Sequence, residues 1–247
     1  MGIFYVLCIR CITNTRKSYG LVYCKYMNAK PKQTDYQPPS EGFKWGVATV
    51  IALLIAAPAT VYLEYVRGEL FTLTTISFTL AATASFMYAI SFSSSSFSYY
   101  IGWPNMRDGY QKQIGVFAFF ASLAYSITLL FLYPETYYYG FWDNLWTANV
   151  SLGLMAMFIF GLMTVINSKP VAKYFSWDTI KAVLGLGFLG YALLVLRAAI
   201  VEGDLWIYWL TTFEGEVPGR LLLSVVAIGV LLLRLSIPLH IKFFGKK

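Results

Sequence analysis

The sequence predicts an all-α polytopic membrane protein, a six-transmembrane-helix bundle, and three observations carry that expectation. Hydrophobic residues make up 58% of the 247 and charged residues only 13%, against about 25% charged in a soluble domain. The mean hydropathy is +0.60, more apolar surface than a water-soluble fold can hide. Six apolar stretches, at 45–66, 71–92, 113–133, 145–166, 180–201 and 221–239, each come near the roughly 20 residues that a helix needs to cross about 30 Å of hydrocarbon.

Helices rather than strands follow from the length of these stretches and from their lack of strict alternation, since a membrane β-strand needs about half as many residues. Aromatic residues, 18% of the chain, suit a protein that meets two bilayer interfaces repeatedly, because Trp and Tyr rings settle at headgroup level.

Residues 1–44 mix Lys and Arg with Cys, Tyr and Asn, then turn to the polar, Pro-rich text PKQTDYQPPSEG before Trp45. A flexible cytoplasmic N-terminal segment is expected there. Its opening apolar run, 2–12, is too short to span, and no A-x-A-like site follows it as a signal peptide requires. A shift in composition at Met27 suggests that translation starts at that residue. Cys8 and Cys11 form a C-x-x-C and Cys24 stands alone. Without further Cys or His ligands at suitable spacing, reduced thiols are expected in place of a metal site.

Pro58 lies inside the first span and should kink it, with neighbours satisfying the freed carbonyl. The second span runs into the serine-rich text SFSSSSFS at 91–98. Those hydroxyls can bond carbonyls of their own helix, and with no His or acidic base beside them a packing or helix-end role is expected over nucleophilic catalysis. Met155, Met157 and Met163 in the fourth span read as core packing, since a thioether fills irregular gaps. Gly153 and Gly161 in the fourth span, with Gly185, Gly187 and Gly190 in the fifth, let backbones approach closely. Residues 240–247 form a short basic cytoplasmic tail in which His240 sits beside Lys242.

Lys and Arg sort by loop. Seven precede the first span, from Arg10 to Lys44; Arg107 and Lys112 lie between the second and third, Lys169 and Lys173 between the fourth and fifth, and Lys242, Lys246 and Lys247 at the end. The opposite loops hold Arg67 and Arg220 among Glu69, Glu135, Asp143, Glu202, Asp204, Glu214 and Glu216. Both termini are therefore expected in the cytoplasm, as the positive-inside rule requires and an even number of spans allows. The same rule accounts for the net charge of +7, so the lipid bilayer is the expected partner and nucleic acid is not.

Charges at mid-depth would mark an ion or proton path, because each costs about 2.5–3.5 kcal/mol on insertion scales. None is central. Arg197 and Arg234 fall within a turn or two of a boundary, where long side chains snorkel to the interface. Glu64 and Arg67 are spaced to pair across one turn.

Redox work in such a bundle usually rests on histidines of facing helices that hold haem iron from both sides. The single histidine here, His240, follows the last span. Two stretches nevertheless carry a resemblance: RDGYQKQIGVFAFFASLAYSITLLFLYP, with basic residues ahead of an aromatic apolar helix, and TVINSKPVAKYFSWDTIKAVLGLGFLGYALLVLR, with a polar turn, a basic loop and a Trp before the helix. They resemble the ferric reductase-like transmembrane domain family, and in particular its haem-binding membrane subunits of methionine sulfoxide reductase systems. The resemblance spans roughly 71–239 in helix order and implies a bundle that passes electrons through haem. Counted along its motifs, the haem-ligand slots fall on Tyr125, on Lys181 just after the Trp177 and Ile180 frame, and on Leu194, with the ligand histidines replaced. The implied reading is an accessory or scaffolding subunit of a membrane complex, without haem and with no catalytic or metal-binding residue. One alternative is a transmembrane oxidoreductase with haem held by atypical ligands; another is a carrier of a small or lipid-like solute. No P-loop occurs and no soluble nucleotide-binding domain is expected, so any redox partner would be a separate protein or a quinone, or another membrane subunit.

Overall fold

The computed structural model describes residues 40–66, 68, 71–101 and 110–244. Six long helices dominate them: α1 Glu41–Val61, α2 Leu73–Ile101, α3 Gln111–Leu132, α4 Ala148–Ile166, α5 Trp177–Thr212 and α6 Gly219–Phe244. No strand occurs among the described residues. Six helices are long and apolar enough to cross a membrane, and the chain is an all-α integral membrane protein whose surroundings are the lipid bilayer. Residues 1–39, with all three cysteines and Met27, lie outside the described residues, as does the expected Glu64–Arg67 pair.

Helix α1 starts at Glu41, four residues before the predicted span, because Ser40 caps it. The Phe43 amide donates to Ser40 Oγ at 3.3 Å, and Glu41 faces the positive end of the helix dipole. Pro58 is held within the helix, and four residues on the chain loosens into a π-helical turn, Tyr62–Val66, a common answer to a missing amide. Beside it the Thr60 hydroxyl bonds Thr79 Oγ1 on α2 at 3.1 Å.

Helix α2 runs nine residues past the predicted end at Phe92, through the serine run. Ser94 Oγ donates to the Ser91 carbonyl at 2.7 Å and Ser95 Oγ to that of Phe92 at 3.2 Å. Ser91 Oγ leaves its own helix and donates to the Gln111 carbonyl at 3.0 Å, joining α2 to the start of α3. These bonds perform the expected packing role, while the expected helix end lies beyond the run, at Ile101.

Helix α5 departs furthest from expectation. Ser176 caps its start, accepting from the Thr179 amide at 3.2 Å, and the helix then runs for 36 residues, about 54 Å at 1.5 Å per residue. That exceeds the roughly 30 Å of a hydrocarbon core. It passes Val201 by eleven residues and stops where Phe213 turns left-handed, φ 54°. Gly185, Gly187 and Gly190 spell G-x-G-x-x-G, yet they lie inside this unbroken helix, with no strand before them among the described residues, so they form no dinucleotide loop. Helix α6 contains Pro238 and continues through His240 and Lys242 to Phe244, so the tail expected at 240–247 is helical in its first half.

The closest helix pairs are α2 with α3 and α4 with α5, and α1 lies against α2 and α3. All six contribute to one core: Ala48 and Ala52 from α1, Met87, Tyr88 and Phe92 from α2, Ala118 from α3, Phe160 from α4, Tyr191 from α5, Ala227 from α6. The outward faces remain apolar, with Leu54, Phe131 and Phe158 largely exposed, as side chains in contact with lipid should be. Acidic side chains Glu135, Asp143, Glu202 and Glu214 mark one end of the bundle; Lys112 and Lys173 mark the other.

Candidate functional site

Two layers fill the space between the α2–α3 and α4–α5 pairs. Nearer the basic end is an aromatic plug. The Tyr88 and Phe160 rings stack at 4.2 Å between centroids, Phe92 meets Phe188 at 5.0 Å, and Tyr191 donates its hydroxyl to the Ser85 carbonyl at 2.9 Å. Glycines on α5 make this packing possible. A Cβ at Gly187 would lie 2.5 Å from Met163 Sδ and 2.8 Å from the Phe92 ring, and one at Gly190 would lie 3.1 Å from the Phe160 ring. The notches at Gly187 and Gly190 are thus filled by neighbouring side chains, whereas Gly185, from which close approach was also expected, has nothing within 4 Å of a built Cβ. Met163 fills the notch at Gly187, the packing role read for it from the sequence.

Toward the acidic end the plug gives way to a cavity of about 370 Å³ with a largely apolar lining, contributed by α2 to α6. Tyr125 and Leu194, two of the three slots read from the sequence, both line it. The Tyr125 hydroxyl has no hydrogen-bond partner among the described residues. Lys181 belongs to the first turns of α5 and its side chain lies outside the described residues. Thirteen residues separate it from Leu194, about 20 Å along the helix, so the α5 slots occupy different depths.

At the acidic end of the cavity stands a polar cluster that sequence reasoning missed. Arg197 donates from Nε to Asn149 Oδ1 at 2.8 Å and from Nη2 to the Tyr137 hydroxyl at 3.2 Å, and Asn149 Nδ2 also donates to Tyr137, at 3.3 Å. Gly153 leaves room for it: a Cβ there would touch the guanidinium at 3.4 Å. The side chain was expected to snorkel to the interface; it reaches Asn149 at the start of α4 and Tyr137 in the π-helical turn Glu135–Tyr139, whose neutral oxygens accept its protons. Arg220, also on the lining, differs in being paired with Glu202 at 3.1 Å across α5 and α6.

Haem ligated by both of two facing helices needs a donor atom on each side of the iron. Leu194 has no lone pair, and the lining holds no imidazole or thiolate: besides Tyr125 it offers the thioether of Met157, an amide and hydroxyls, among them Tyr191 engaged with Ser85 and Tyr88 with Ser122 at 3.3 Å. This donor set does not fit haem ligated from both sides. Among the described residues no three His, Cys, Asp or Glu side chains cluster as metal ligands would. No family model matches the chain, and no curated protein does.

Proposed function

We propose that the chain is a haem-free relative of the ferric reductase-like transmembrane domain that serves as an accessory or scaffolding subunit of a membrane complex. Its place is the bacterial plasma membrane, with both termini on the cytoplasmic side and the acidic end of the bundle facing out.

The observation that carries this reading is the pairing of Tyr125 with Leu194 on one cavity. The positions at which imidazoles would face each other share a space, and one of them holds an aliphatic side chain. The filled notches at Gly187 and Gly190 add support, because Met163, Phe92 and Phe160 take up room that a macrocycle lying along α5 would need. Orientation rests on the distribution of Lys and Arg, which favours the cytoplasm for the Lys112 and Lys173 end.

A reduced-minus-oxidised spectrum of the protein purified in mild detergent from haem-supplied cells is the test. The reading expects a flat difference spectrum, and a stoichiometric Soret shift with an α-band overturns it. The alternative of haem with atypical ligands draws on one observation, the unpartnered Tyr125 hydroxyl on the cavity wall, and the same spectrum decides between them.

A further inference from the structure

We infer that the cavity is a binding site for a single-chain amphiphile with an anionic head, its carboxylate or phosphate at Arg197 and its apolar chain along Leu194, Met157 and Leu129 toward the Tyr88–Phe160 stack.

The head follows from charge. A guanidinium has five N–H donors, and at Arg197 only Nε and one Nη2 proton have partners, both neutral. No carboxylate lies within ion-pair distance of it among the described residues, whereas Arg220 on the same lining has Glu202. The charge at Arg197 is therefore uncompensated at the end of an apolar cavity, where attraction for an anion exceeds its value in water. A neutral head can accept a hydrogen bond from the guanidinium but forms no ion pair with it, so it gains less.

The chain follows from the walls. A volume of about 370 Å³ is within the usual range of small-molecule sites, about 300–1,000 Å³, and suits one hydrocarbon tail better than two. Lining residues that remain exposed, Leu123, Ile127, Leu130, Leu154 and Val201, are all apolar, so the mouth opens to hydrocarbon and the occupant enters from the bilayer. Tyr125, on the same lining, offers a second donor to the head.

The test uses the full chain in phosphatidylcholine nanodiscs and equilibrium binding of radiolabelled palmitate, with hexadecanol as the neutral analogue. Wild type is expected to bind palmitate saturably, and Arg197→Gln to weaken it at least about tenfold, the loss of one charge-assisted contact. Hexadecanol binds weakly to both. Arg197→Lys keeps the charge and most of the binding, which separates loss of charge from loss of fold, and Leu194→Trp fills the cavity and abolishes binding with Arg197 in place. Displacement of palmitate by lysophosphatidate assigns the site to phosphate-headed lipids as well, and failure to displace restricts it to carboxylates. Equal binding of palmitate and hexadecanol, or of palmitate by wild type and Arg197→Gln, overturns the inference. It rests on the haem-free reading, since porphyrin and amphiphile would compete for one space. A Soret band in the nanodisc sample retires that reading, while a sample without one that fails to bind palmitate retires this inference alone.

Discussion

Arg197 on α5 and Asn149 at the start of α4 are joined by a 2.8 Å hydrogen bond, 48 residues apart in sequence. The bond closes the acidic end of the most intimate helix pair after α2–α3 and fixes a charged group that would otherwise reach for the interface. Replacing Asn149 by Leu removes the acceptor. Thermal unfolding in detergent should register a loss of about 1.5 kcal/mol, the low end for a hydrogen bond to a charged group because Arg197 is only half-buried. Combined with Arg197→Gln the losses should be less than additive; strict additivity would mean that the two residues do not interact.

Gly187 and Gly185 form an internal control two residues apart on one helix. Gly187→Ala sets a methyl against Met163 and Phe92 and should cost about 1–3 kcal/mol, the usual toll of overpacking. Gly185 has no neighbour within 4 Å of a built Cβ, so Gly185→Ala should be neutral or slightly stabilising. Melting temperatures of the two variants that fall together would contradict the packing described for α5.

The Tyr88–Phe160 stack is the face of the plug that lines the cavity, and Phe160 is almost wholly buried. Phe160→Ala should destabilise the bundle by about 3–5 kcal/mol, while Phe160→Leu, which keeps most of the volume, should cost less than about 1.5 kcal/mol. Equal effects would place Phe160 outside the core.

The contrast between what was legible in the sequence and what was not follows from the range of each interaction. The six spans were legible because a bilayer demands about 20 apolar residues in a row, a local property. Helix ends were less so: the serine run looked like a terminus but stays helical through its own side-chain bonds to carbonyls, and Glu202 and Asp204 looked like loop residues although α5 continues to Thr212. The cavity itself was not legible. Motif spacing placed Tyr125 and Leu194 in equivalent slots, and both line it. Arg197 was read as a snorkelling side chain, because its acceptors, Asn149 and Tyr137, lie 48 and 60 residues away and nothing local announces them.

Orientation has its own readout. In a background with Cys8, Cys11 and Cys24 changed to Ser, Tyr174→Cys, beside Lys173, should react with a membrane-impermeant maleimide only from the cytoplasmic side. Asp143→Cys should react only from the other side. Both positions are exposed, so protection from both sides would not be expected, and a reversed pattern would contradict the positive-inside assignment.

The central claim, that this bundle has no capacity for haem, is tested most directly by titrating haemin into the purified protein in nanodiscs and following the Soret band. The account predicts a linear rise indistinguishable from that of empty nanodiscs, with no break at one equivalent. A saturable one-to-one transition, to a five- or a six-coordinate spectrum, would contradict it.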